Sequence, residues 1–122
     1  ERFNSPTAEE LIQRVHNAGG IVVAAHPYRS DYSFLGAGDL IYSLKIDALE
    51  LYHLSHTSEA IKKARRAMNC LGISGIGGSD SHTAETIGCC TTCFQRPVEN
   101  VYEMMEEIRS HRVRALRRHI EL

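Results

Sequence analysis

The stretch GISGIGGSDSHTAETIG, Gly72 to Gly88, decides how the chain is read. It opens as a small apolar run, and Ile73 to Ile76 has the composition of a short buried strand. It then turns into Gly77-Gly78-Ser79-Asp80-Ser81-His82, which sets a carboxylate and an imidazole two residues apart where the strand gives out. Alternate residues leaving a strand end can point the same way, so Asp80 and His82 can reach a common point. Gly77 and Gly78 permit the tight backbone path that would re-aim the chain there. A plainer role is also open: Asp80 or Ser81 could cap a following helical turn.

Working outward, the same pattern recurs. Ile21 to Ala25 is a continuous apolar run, the mark of a strand covered on both faces, and it ends at His26-Pro27-Tyr28-Arg29. Ile46 to Tyr52 is a second strand candidate and ends at His53. Helical stretches alternate with these runs. Thr7 and Glu10 form a capping box ahead of Ala8, Leu11, Ile12 and Val15, and Gly19-Gly20 stops that helix. A loop with Asp31, Ser33, Gly36 and Gly38 leads to a short helix around Asp39 to Leu44. Ser58 is placed to cap a helix bearing Ile61, Ala64, Met68 and Leu71 on one side. Thr91 to Phe94 reads as a short fourth strand, and Val98, Val101, Tyr102, Met105 and Ile108 as a last amphipathic helix.

Strand, helix, strand, helix predicts an α/β fold with a parallel sheet of about three to four strands and flanking helices. Parallel strands bring their carboxyl ends to one edge, where such folds hold their sites. His26, His53 and the Asp80/His82 pair would therefore converge. Imidazole and carboxylate together suit a divalent transition metal, which lowers the pKa of bound water and polarises a phosphoryl or carbonyl oxygen. His26, Asp80 and His82 are the candidate ligands, with His53 a further possibility and His56 a weaker one. Glu50 could face this cluster or a solvated edge. Arg29, at the rim, suits a phosphate because guanidinium grips two oxygens at once.

Composition bounds the rest. The chain has 122 residues and a formal net charge of −1, which fits one soluble globular domain over residues 1–122. There is no long apolar run for a membrane span, so no membrane partner is expected. Four cysteines, three of them crowded at Cys89, Cys90 and Cys93, do not read as a disulfide framework, and a reducing cytoplasm is expected. Cys90-x-x-Cys93 runs into strand-like sequence rather than opening a helix, so small buried thiols are expected in place of a redox pair. Arg109 to His119 holds five arginines and reads as a solvated terminal run.

Taken together, GGIVVAAHPYR, IDALELYH, GISGIGGSDSH and TIG resemble the C-terminal half of the PHP (polymerase and histidinol phosphatase) family, from about Thr7 to Ile108. The likeness is closest to its stand-alone metal-dependent phosphoesterases with their PHP-associated C-terminal region. The resemblance implies part of a distorted (β/α)7 barrel, and hydrolysis of phosphate mono- or diesters by metal-bound hydroxide. It implies a site of divalent ions (Zn, Mn or Fe), often a multinuclear cluster, acting on a phosphorylated small molecule or nucleotide. His26 matches the third-motif ligand, and Asp80 and His82 match the fourth-motif ligands and would carry the catalysis. The family's first motif, H-x-H, is absent: no two histidines here are separated by one residue. The chain opens on Glu1 rather than Met. The expectation is a C-terminal portion of a PHP domain, with little activity alone and a missing N-terminal half or a partner chain to cover the sheet edge. A non-catalytic binding or assembly module is the alternative.

Overall fold

The computed structural model describes residues 5–30 and 36–118, so the expected loop at Asp31 and Ser33, and His119 of the basic run, lie outside the described residues. The first helix, α1 (Ala8–Asn17), begins with the expected capping box. Thr7 Oγ1 accepts the Glu10 N–H at 3.2 Å, and a Glu10 carboxylate oxygen accepts the Thr7 N–H at 2.9 Å. Two orphan donors are thus satisfied reciprocally at the helix start. A second helix, α2 (Ser58–Leu71), ends where Gly72 turns left-handed at φ 63° and returns its N–H to the Met68 carbonyl. Its cap is Thr57, whose side chain accepts the Ala60 N–H, not Ser58. Ser58 already has helical backbone, which removes it from the cap position.

Three strands form a parallel sheet in the order β1 (Val23–Ala24), β2 (Ala48–His53) and β3 (Ser74–Gly78). The Ile21 to Ala25 run forms a ladder only at its two central residues, because the chain leaves the sheet before His26. β2 is the central strand, and its Ala48, Leu49 and Leu51 join Ile12, Ile41, Ile46, Ala64 and Ala67 in the core. Apolar surface removed from water drives this packing. The short helix expected near Asp39 is a 3-10 turn, Gly38–Ser43, whose Ile41 is buried. His16 Nε2 lies 2.8 Å from an Asp47 carboxylate oxygen that also takes the Val22 N–H at 2.7 Å, tying α1 to the start of the sheet.

The fourth strand departs from expectation. β4 (Cys90–Phe94) does not extend the parallel sheet; it pairs antiparallel with β5 (Val113–Arg117), and α3 (Val101–Arg109) connects the two. The basic run is therefore partly a strand. Only Ala115 of β5 is buried, and Arg114, Leu116 and Arg117 are exposed, so the apolar signal of this strand is too thin to read locally. The ribbon is fastened to β3 by side chains: Thr92 Oγ1 bonds both the N–H and the carbonyl of Gly77, and Ser79 Oγ does the same for Cys90. Glu107, with no exposed surface, accepts from Arg96 and Arg112 at 2.8 to 3.0 Å and locks α3 to the ribbon. Its cover is thin, since those arginines are 46% and 41% exposed.

The architecture is thus mixed α/β with a three-stranded parallel sheet, and no barrel closes among the described residues. None of the described helices is long and apolar enough to cross a membrane.

Candidate functional site

Each strand of the parallel sheet ends in a residue of metal-ligand type, and the backbone there is unusual. His26 and Asp80, just beyond β1 and β3, have φ of 29° and 49°. Left-handed backbone is uncommon outside glycine and collects at functional sites, where surrounding contacts hold it. At His26 those contacts are visible: its N–H donates to a Glu50 carboxylate oxygen at 2.7 Å, and its carbonyl accepts the Arg29 N–H at 3.0 Å. Gly36 packs against the Pro27 and His26 carbonyls so closely that a Cβ would collide with both. The His-Pro-Tyr-Arg turn is therefore built around its glycine neighbour.

The result is a cleft of about 420 Å³ lined by His26, Arg29, His53, Leu54, Ser55, Asp80 and His82. His26, Arg29, His53, Asp80 and His82 thus line one cleft, whereas the weaker candidate His56 lies buried behind, its ring 5.7 Å from that of His53. The His26 and His53 rings meet edge to face at 5.1 Å. Asp80 Oδ2 lies 3.4 Å from His53 Nε2 and 3.8 Å from Arg29 Nη1. Asp80 and Ser81 do not cap the next turn; Thr83 precedes that 3-10 turn, with no side-chain cap bond.

Glu50 is the residue whose place the sequence left open. In a regular strand Glu50 and His53, three apart, would face opposite sides. The register with β3 slips between Glu50 and Tyr52, and this bulge restores both to the same side, with Glu50 Oε2 3.9 Å from His53 Nε2. Gly78 makes the room, because a Cβ there would overlap the Glu50 carboxylate. A lone acid inside ALELY was the available signal; the bulge that aims it had none. Ser55 was also missed. Its N–H donates to His53 Nδ1 at 3.1 Å, so that nitrogen accepts and Nε2 carries the proton toward Asp80.

Hydrogen bonds set the other imidazoles too. His82 Nδ1 donates to the Asp80 carbonyl at 2.8 Å and His56 Nδ1 to the Leu51 carbonyl at 3.1 Å, which leaves Nε2 as the lone-pair nitrogen of each. His26 Nδ1 and His56 Nε2 are buried without a hydrogen-bond partner. Such orphaned nitrogens need an explanation, and a missing ligand is one. Yet among the described residues no three His, Cys, Asp or Glu side chains are gathered closely enough to hold a metal ion. Donors of the right chemistry are present and partly oriented, but as placed they do not close on one point.

Burial pushes the His53 pKa below the ordinary imidazole value; Glu50 and Asp80 oppose this, while His26 and His56 reinforce it. Burial likewise lowers His56, against the pull of the Leu51 and His26 carbonyls. Hydrogen bonds from Arg112 and Arg96 hold Glu107 down at about 2. The signs agree. The unfolded chain takes up protons that the folded histidines resist, so stability falls as pH drops below about 6.5. Glu107 stabilises fully above its ordinary 4.5, and that contribution is lost as pH falls from there toward 2. Denaturation midpoints measured in chelator are therefore expected to fall in two stages on acidification. His56→Gln should flatten the upper stage only; an unchanged upper slope would contradict this account.

The thiols take no part. All four are free; Cys90 is buried beside Cys89, but Cys93 is exposed, like Cys70, which corrects the expectation that both thiols of Cys90-x-x-Cys93 are buried. Residues three apart in β4 point to opposite faces, which separates Cys90 from Cys93. Burial beside Cys89 raises the Cys90 pKa to about 11, the wrong direction for a nucleophile.

A family model described as PHP-associated matches residues 58–113, from the start of α2 to the start of β5. Over these residues the chain is similar to a PHP-associated region. This stretch supplies Asp80 and His82 to the cleft, while His26, Arg29, His53 and Ser55 come from the ends of β1 and β2 and the turns that follow them. The matched stretch also includes α3 and all of β4, but only the first residue of β5. No curated protein and no solved structure matches the chain.

Proposed function

We propose that the cleft is the C-terminal part of a PHP-type phosphoesterase site, within a PHP domain of which residues 1–122 are the C-terminal portion. His26, Asp80 and His82 are its metal donors, and the H-x-H ligands absent from this sequence are supplied from outside it, as is the remainder of the (β/α)7 barrel. The observation that carries this is the convergence of His26, Arg29, Asp80 and His82 on one cleft at the ends of parallel strands. The match of residues 58–113 to a PHP-associated region adds to it. A divalent metal (Zn, Mn or Fe), when bound, supplies an acidified water and neutralises phosphate charge. The chain's own residues do the positioning. His82 presents Nε2 because its Nδ1–H is held by the Asp80 carbonyl. The His53 Nε2–H orients the Asp80 carboxylate, and in this tautomer His53 is a positioning donor rather than a ligand. Arg29 at the rim grips the oxygens of a phosphorylated small molecule or nucleotide. The setting is the reducing cytoplasm that keeps four thiols free.

A non-catalytic module is the second reading, favoured by one observation: Asp80 already sits against Arg29 and His53, and no three donors are gathered. Calorimetric titration with Mn²⁺ or Zn²⁺ separates the two. On the phosphoesterase reading the chain binds metal weakly, His26→Ala and His82→Ala each weaken binding more than about tenfold, and both remain folded. Metal binding indifferent to both substitutions would leave the module.

A further inference from the structure

Away from the cleft, the edge of β5 turned away from β4 has no strand paired to it among the described residues. Gln95 N–H bonds the Arg112 carbonyl and Arg118 N–H bonds the Cys89 carbonyl, which sets the phase of the β4–β5 ladder. In that phase Arg114 and Leu116 exchange bonds with β4, whereas Val113, Ala115 and Arg117 turn their N–H and carbonyl groups away from it. The phase agrees with β4, where the outward residue Cys90 gives both backbone groups to Ser79 Oγ. No counterpart of Ser79 serves β5: its outward groups have no hydrogen-bond partner among the described residues. Ala115 is nevertheless only 8% exposed.

A groove of about 670 Å³ lies against this strand, bounded across from it by Tyr52, Ser58 and Ile61. Its charged lining is Arg114 and Arg117, and neither guanidinium has a hydrogen bond or ion pair among the described residues. No carboxylate lines it among the described residues.

We infer that this groove receives an extended acidic segment of a partner polypeptide, which adds to β5 as a further strand. The unpaired N–H and carbonyl groups at alternate positions are the template for main-chain pairing, and pockets beside them take side chains. Arg114 and Arg117, three apart, point to opposite faces, so carboxylates on either face of the incoming strand meet one of them. A second copy of β5 fits poorly, because it would add its own arginines to an already cationic ribbon. Nucleic acid would satisfy the arginines but leave the outward amides unpaired.

A blocked alternating Glu-Val peptide tests this by NMR and calorimetry. The expected result is shifted, exchange-protected amides at Val113, Ala115 and Arg117, with affinity that falls as salt rises. Arg114→Glu with Arg117→Glu, both exposed positions and checked for native circular dichroism, should lose about tenfold or more for this peptide and gain a Lys-Val counterpart. An N-methylated Glu-Val peptide that binds equally well would overturn the strand-addition geometry. So would protection of the same amides by self-association without peptide, or an oligonucleotide that displaces the peptide and leaves those amides unprotected. Metal binding at the cleft enters none of these outcomes.

Discussion

Gly77→Ala is expected to destabilise the protein by about 3 kcal/mol, out of proportion to one added methyl group. The added Cβ would overlap the Thr91 backbone, its N, C and O atoms, and not a side chain that can swing aside. The ribbon must therefore lift from β3 as a unit. Lifting breaks the two bonds of Thr92 Oγ1 to Gly77 and the two of Ser79 Oγ to Cys90. Cys90 is buried, so its freed N–H and carbonyl lose partners that are costly to replace. Because Gly77 lies three residues before Asp80, the same shift should disturb the cleft. Denaturant midpoints of the wild type and variant give the measurement. A variant of near wild-type stability would mean that the ribbon does not rest on β3 as described.

Asp80→Asn is the substitution with the largest expected effect on function. Asparagine tolerates the left-handed backbone seen at φ 49°, so the exchange removes the charge and keeps the turn. The pairs lost, to Arg29 at 3.8 Å and His53 at 3.4 Å, are long, and the aspartate is 43% exposed. Stability should therefore change by less than about 1 kcal/mol. On the proposed phosphoesterase reading, removing an anionic ligand should cost more than about 100-fold in metal affinity, since disturbing a mere outer partner already costs about 10–100-fold. Hydrolysis of a chromogenic phosphate ester by the protein carrying the H-x-H half should fall in step. Unchanged affinity in a folded variant would count against Asp80 as a ligand and toward the non-catalytic module.

Much of the candidate cleft was legible because strand ends are punctuated in the sequence itself. Apolar runs stopping at His-Pro, at His and at Gly-Ser-Asp-Ser-His predict convergence once parallel pairing is assumed, and His26, Arg29, His53, Asp80 and His82 do line one cleft. The residues missed or left open act through backbone events without a local signature. Glu50 is aimed by a bulge, Ser55 by the turn after His53, and His56 is buried although it stands directly before a cap.

The sequence by itself determined the alternation of helices and strands, the capping of α1, and which residues leave the sheet at its carboxyl edge. These depend on neighbours within a turn or a strand, where periodicity and capping chemistry act. Tertiary structure decided that the arginine run becomes β5, that β4 turns antiparallel to it, and that Gly77 and Gly78 make room for Thr91 and Glu50. It also decided which edge of β5 is left without backbone partners among the described residues. Strand pairing and close approach join residues distant in the chain, and hydrogen bonding between strands is indifferent to side-chain identity, so only the folded arrangement selects the partners.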